Sequence, residues 1–523
     1  MKLMKRIYAR ADERGVALPF VALMLTLLIG MTALAVDLGW LYLNGSRVQR
    51  GADAAALAGV VHLPHNISGV NENVIGGANA NGWSVGELNG DDSVGTGPDI
   101  ARWQPLSDNR LQVELEARVP TFFMRVFGMN EVTITRRATA EYIKPVPMGS
   151  PSACFGVGAF AANMSGNQSL TNQGLQHCQA YAMNFWAAIN GPRTAKEHGD
   201  PYAVACIRAN SSGCTAGSNS DYRENGYYYG LEVPSGKSSI TVKVFDGGFY
   251  PRSSGQTETG DLLGLAYSNT SAGPRTEYRV FAPDDTPLDP TDNTSLVPGC
   301  SRGWDPGSGS SSNRNRWDDI CTINNPQPGI YVLNVRTTGT GGGNNSYSIG
   351  VTSSPNTAPH VRTYAINDMS IFTNSTSGVA TVYLAEVGTF HAGKTLQLGF
   401  YDPGENCGGV AGCTGASDVH AWVTVRQPND DIPTCTWTAR HDDGTPGDSG
   451  SGSCHIQSTL HGVPQFNAQW LNATINIPSG YTCTSDCFWK MNLDMDDSQD
   501  RTTWAARVIG NPVRLVPNES ATP

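Results

Sequence analysis

The sequence predicts an N-terminal transmembrane helix, then a small α+β unit, then an all-β remainder made of two antiparallel β-sandwich units. Three observations carry this. From Val16 to Val36 no side chain is charged, and those 21 residues at ~1.5 Å each make about 32 Å of helix, matching a bilayer's hydrocarbon thickness. Gly (59) and Pro (31) together make up about 17% of the 523 residues, while only 15% are charged, a balance that favours loop-rich strands over helical bundles. All twelve cysteines lie beyond residue 150, on one side of the apolar run.

The elements follow in order. Residues 1–14 form a cytoplasmic tail and 15–60 a transmembrane and extended helix. Pro19 falls in the first turn, where a missing N–H costs little. After Asp37 the apolar run resumes as Leu38, Trp40, Leu41, Tyr42 and Leu43, with Trp40 and Tyr42 placed like an interfacial aromatic belt. Lys2, Lys5, Arg6, Arg10 and Arg14 precede the span, against Arg47 and Arg50 beyond it. The positive-inside rule therefore puts the N-terminus in the cytoplasm and the bulk of the chain outside. Gly51, Ala55 and Gly59 repeat every four residues on one helix face, where small side chains allow close helix approach. Two readings are open: a face for a partner helix, or a stalk packing on its own downstream domain. Residues 61–143 form the α+β unit. His62 to Asp108 is Asn/Gly-rich with strand signals too short to place, Leu111 to Val119 alternates as a half-buried strand, Thr121 to Phe127 is a short apolar helix, and Val132 to Tyr142 alternates again.

Three of these stretches carry a family resemblance. RGVALPF, ALAVDLGWLY and VQRGADAAALAG, followed by VPTFFMRVFGMNEVTITRRATAEY from Val119 to Tyr142, resemble the TadE/TadG-like proteins of tight-adherence (Tad, Flp) pilus assembly over about the first 145 residues. The resemblance implies a non-enzymatic, single-pass protein of the bacterial cytoplasmic membrane. Its implied partners are the membrane and other pilus-assembly proteins or pilins. Two processing alternatives stand beside a retained anchor. Ala33-Leu34-Ala35 fits a signal-peptidase site, and a prepilin-type cut could follow Gly15. True pilins place Glu at the fifth following residue, where this chain has Phe20. Many TadG-group members carry a von Willebrand A domain with a D-x-S-x-S metal site. Here Asp368-Met369-Ser370 is followed by Ile371-Phe372, so that site is not supported.

Lys144 to Pro151 is a Pro-containing linker. Beyond it, residues 152–355 and 356–523 read as two related Cys-containing sandwiches. Each has a strand, a Gly-containing turn and an alternating strand ending in aromatic-Asp, at Phe245-Asp246 and at Tyr401-Asp402. Each closes with a strand pair, and first strands lie near Phe185–Asn190 and Tyr364–Phe372. The even cysteine set reads as disulfides formed in an oxidising compartment. Neighbours in sequence give the simplest pairing: Cys154 with Cys178, Cys206 with Cys214, Cys300 with Cys321, Cys407 with Cys413, Cys435 with Cys454, and Cys483 with Cys487. No C-x-x-C pair exists to favour zinc.

Other candidates for chemistry have blander readings. The net charge of −11 argues against a nucleic-acid partner. Gly447-Asp448-Ser449-Gly450-Ser451 resembles a serine-protease nucleophile loop, but its nearest base, His441, lies in the same Gly/Ser-rich stretch. Asp284, Asp285, Asp289 and Asp292, and likewise Asp494, Asp496, Asp497 and Asp500, are solvated turns or calcium loops, and neither fits an EF-hand. Asn190 to Tyr202 gathers Arg193, Lys196, Glu197, His198 and Asp200 in what is a turn-rich loop or a polar site. Trp304, Trp317, Trp437, Trp470, Trp489 and Trp504 are core residues or a carbohydrate-stacking platform. No catalytic residue, metal ligand or cofactor is assigned. The alternative is an anchored cell-surface β-sandwich adhesin or carbohydrate-binding protein, with a surface glycan as partner, unrelated to pilus assembly.

Overall fold

The computed structural model describes residues 17–63, 67–86, 98–107, 109–143, 146–178, 184–210, 213–247, 250–251, 259, 261–263, 274–284, 292–305, 315–339, 341–375, 379–404, 421–460, 463–494, 498–510 and 513–518. The chain divides into two compact units: Met1–Tyr142 with Val513–Pro523, and Ile143–Pro512.

The N-terminal unit is built on α1 (Ala17–Val60), 44 residues without a break, about 66 Å of helix. Its first half exposes large apolar side chains from Phe20 to Leu38 and is long and apolar enough to cross a membrane. Its second half packs on α2 (Ile67–Ala80) and on an antiparallel sheet of β1 (Ile100–Ser107), β2 (Arg110–Pro120) and β3 (Glu131–Tyr142). Strict alternation in β2 buries Leu111, Val113, Leu115, Ala117 and Val119 on one face. The sheet's fourth strand comes from the far end of the sequence. Val513–Val516 pairs antiparallel with β3, placing Val516 opposite Thr139 and Val513 opposite Tyr142. With that edge covered and α1 against it, the last five residues of β3 are all buried, so alternation is lost there.

Among the described residues the second unit is all-β apart from single helical turns. Its two large sheets enclose a common core that takes Phe185, Ile240 and Val242 from one sheet and Tyr229, Leu231 and Leu333 from the other. In the first sheet the central order is Ser239–Asp246, Gly343–Ser354, Asn184–Asn190, Asp368–Ser375, Ser498–Ile509, Thr395–Tyr401. In the second it is Arg275–Phe281, Gly329–Thr338, Tyr227–Val233, then the short Arg362–Ile366 and Pro147–Met148, then Val379–Glu386, Phe488–Asp494, Ala421–Arg426. The first strands (Asn184–Asn190 and Asp368–Ser375) and the aromatic-Asp strands (Ser239–Asp246 and Thr395–Tyr401) thus appear in mirrored order on either side of the first sheet's middle. The expected boundary at 355/356 runs through both sheets, and residues 513–516 belong with the N-terminal unit. Of the expected linker, Pro147–Met148 is a sheet strand, with Met148 fully buried.

Candidate functional site

The residues around the end of the apolar run form the candidate site. Asp37 follows that run directly and is fully buried, whereas Val36 and Leu38 on either side are exposed. A buried carboxylate needs donors, and backbone N–H groups supply three. Phe122 and Phe123 donate to it at 2.9 Å each, and Met124 at 2.6 Å. These are the unsatisfied donors at the start of the single 3-10 turn Met124–Phe127, so α1 caps a turn that lies 85 residues away in sequence. Nearby, Trp40 packs edge-on against Phe122 with ring centroids 5.4 Å apart and donates Nε1–H to the Pro120 carbonyl at 3.2 Å. Arg125 folds back on its own loop, its Nε and Nη2 donating to the Thr121 carbonyl at 3.0 and 2.7 Å. The short helix expected from Thr121 to Phe127 is in the structure only the 3-10 turn Met124–Phe127, and nothing local in the sequence points to its partner. The available signal was a lone Asp37 at the edge of an uncharged run.

Gly51, Ala55 and Gly59 face inward. A Cβ on Gly51 would stand 2.5 Å from the Trp83 ring and 2.9 Å from Leu115, and one on Gly59 would stand 2.6 Å from Val74 and 2.8 Å from Leu111. Ala55 is fully buried, and a Cβ on Gly77 of α2 would come within 2.8 Å of its Cα. The small-residue face is therefore occupied by the chain's own α2 and β2, the second of the two readings. Beside it, Glu141 is fully buried between two arginines. Arg110 reaches its Oε1 through Nε and Nη2 at 3.2 Å, and Arg514, from the C-terminal strand, reaches Oε2 at 2.9 and 2.7 Å.

The cysteine pairs Cys154–Cys178, Cys206–Cys214, Cys300–Cys321, Cys435–Cys454 and Cys483–Cys487 are joined, with Cα separations from 5.0 to 5.6 Å. Cys407 and Cys413 lie outside the described residues.

The polar stretch from Asn190 to Tyr202 holds the fold together. Asp200 is buried and accepts bonds from the N–H groups of Asn190 (2.8 Å), Tyr202 (3.1 Å) and Ala203 (2.9 Å) and from the Tyr227 hydroxyl (2.7 Å). Burial raises its pKa, against the pull of these donors. Lys196, itself buried, bridges Asp221 at 2.9 Å and Asp442 at 2.6 Å, and Glu197 meets Arg208 at 3.4 Å. Trp317, Trp489 and Trp504 are core residues, Trp304 and Trp437 pack against the core, and Trp470 lies against Tyr401. Asp448 to Ser451 belong to the strand Pro446–Ser453, paired with Thr434–His441. Asp285, Asp289, Asp496 and Asp497 lie outside the described residues. Among the described residues no group of three or more His, Cys, Asp or Glu side chains is placed to hold a metal ion. Two further carboxyls, Asp246 at the end of its strand and Asp261, are also deeply buried: burial raises Asp261 to about 8 and, with Asp261 adding repulsion, lifts Asp246 well above the carboxylate range.

Residues 15–62 match a family model described as "Putative Flp pilus-assembly TadE/G-like". The N-terminal segment is TadE/G-like. The match covers the apolar stretch, Asp37, Trp40 and the small-residue face, and stops before the second block at Val119 to Tyr142. No curated protein matches the chain. Among solved structures, the CBM22-1–CBM22-2 tandem domain of Paenibacillus barcinonensis Xyn10C is 11% identical, over 54% of this chain and 79% of that one, with a TM-score of 0.12. An oxalate decarboxylase is 8% identical over 53% and 71%, with a TM-score of 0.13. The VP2 subviral particle of infectious bursal disease virus is 11% identical over 65% and 81%, at 0.10. Likeness at this level carries no argument about this chain.

Proposed function

We propose that this chain is a non-enzymatic, membrane-anchored, outward-facing component of Tad/Flp-type pilus assembly. One observation carries the reading: the TadE/G-like match at residues 15–62 coincides with a helix whose first half is apolar and exposed. Orientation rests on the five cations before the span against two beyond it, and on a set of disulfides suited to an oxidising compartment. Because Gly51, Ala55 and Gly59 are occupied within the chain, partner pilins or assembly proteins meet the exposed stretch from Phe20 to Leu38. The test is deletion of the gene and complementation with two forms, the full chain and one whose residues 16–36 are replaced by an unrelated transmembrane helix. The deletion should abolish or sharply reduce surface pili, the full chain should restore them, and the replaced span should restore fewer. Unchanged piliation in the deletion strain would overturn the proposal.

A further inference from the structure

We infer that the loop Thr121–Met129 is a second membrane contact, its apolar side chains seated in the outer interfacial layer of the bilayer that α1 crosses. The inference rests on the anchor part of the proposed function and not on its pilus part. Phe122, Phe123, Val126, Phe127 and Met129 are all exposed, Val126 and Phe127 at 80% and 82%, and no residue of the turn Met124–Phe127 is buried. In water such a cluster gains nothing, and it is uncommon in a loop that is otherwise fixed. This loop is fixed at a particular height. The Asp37 carboxylate holds three of its backbone N–H groups, and Trp40 holds Phe122 and the Pro120 carbonyl. Asp37 marks the end of the uncharged run, which is where hydrocarbon gives way to headgroups if Val16–Val36 spans the membrane. The loop therefore leaves α1 at the level where aromatic side chains are favoured. Its single cation, Arg125, is engaged by the Thr121 carbonyl. The apolar surface is continuous with the anchor through Trp40, which packs on Phe122, and Leu38 and Tyr42 on either side of Trp40 in α1 are exposed. A lipid surface is the occupant this continuity selects, rather than a separate protein.

The full chain, reconstituted alone into vesicles of phosphatidylethanolamine and phosphatidylglycerol, tests this. A Val126→Cys variant carries an environment-sensitive fluorophore on the new thiol. An Asn81→Cys variant serves as reference, because Trp83, two residues on, lies against Gly51, about 21 Å along the helix from Asp37 at ~1.5 Å per residue. The label at 126 should shift to the blue and be quenched at least about threefold by lipids brominated near the headgroup, while the label at 81 is not quenched. A water-like, unquenched label at 126 overturns the inference, as does equal quenching at both positions. So does a label at 126 that becomes dry only when other pilus proteins are added, which would assign the loop to a protein partner. Carbonate extraction of the same vesicles separates the two readings: a chain released by carbonate refutes the anchor itself, whereas a retained chain with a wet label refutes only the loop contact.

Discussion

Asp37 does more at the residue scale than one carboxylate in a helix ordinarily does. Three backbone donors that the turn at Met124 cannot satisfy internally converge on it. Hydrogen bonds to a charged group contribute about 1.5–3 kcal/mol each and are not additive, so Asp37→Ala should cost the N-terminal unit about 3 kcal/mol. Denaturant unfolding of the detergent-solubilised chain would measure it, and a loss under about 0.5 kcal/mol would mean that the three bonds contribute little. In the second unit, Asp261 sets a pH dependence. Burial keeps it protonated in the folded chain up to about 8, whereas an unfolded Asp titrates near ~3.9. The folded state therefore holds the extra proton between these values. Its stabilising effect is complete below about pH 4 and is lost as pH rises toward 8. Asp246 and Asp200 are shifted the same way. Asp261→Asn removes one titration, so the fall in melting temperature from pH 5 to pH 8 should shrink. An identical fall in both proteins would contradict this.

At the scale of elements, α1 and α2 meet through glycines that are not equivalent. A Cβ on Gly77 would come within 2.8 Å of the Ala55 Cα and 3.0 Å of the Ala54 carbonyl oxygen, all backbone atoms, whereas one on Gly76 meets nothing within 4 Å. Gly77→Ala should force the helices apart at a cost of about 1–3 kcal/mol, while Gly76→Ala should gain up to about 1 kcal/mol of helix propensity. Opposite shifts in protease resistance would show it, and equal shifts would contradict the packing. Ala55→Leu, placed in the same contact, belongs with Gly77→Ala: it should lower the protein level before it touches any partner. Legibility follows from the same physics. The strand β2 was readable because one face is buried and one is wet. The helix α2 was not, although Val70, Val74 and Ala78 form a buried stripe at helical spacing, because the asparagines and glycines between them are weak helix formers. The capping of the 121–129 loop by Asp37 joins residues 85 apart, and no local pattern encodes it.

Across the whole molecule, the duplicated strand pattern was legible while the partners of its strands were not. Periodicity marks which residues form a strand and which face is buried, but leaves open which edge a strand joins. Asn184–Asn190 pairs with Asp368–Ser375, so the repeats share their sheets and leave no open edge between them. The C-terminal strand is the same lesson at longer range: its place on β3 rests on Arg514 and the buried Glu141, a pairing across more than 370 residues. The anchor lies at the opposite extreme, fully local in its signal. The central claim, that α1 fixes the chain in a membrane with the β unit outside, is tested most directly by adding protease to spheroplasts of the producing bacterium. Everything beyond about residue 45 should be degraded, with a small membrane-bound fragment containing residues 15–40 left intact. A full-length chain protected until the membrane is broken, or a soluble chain beginning at Val36, would contradict it.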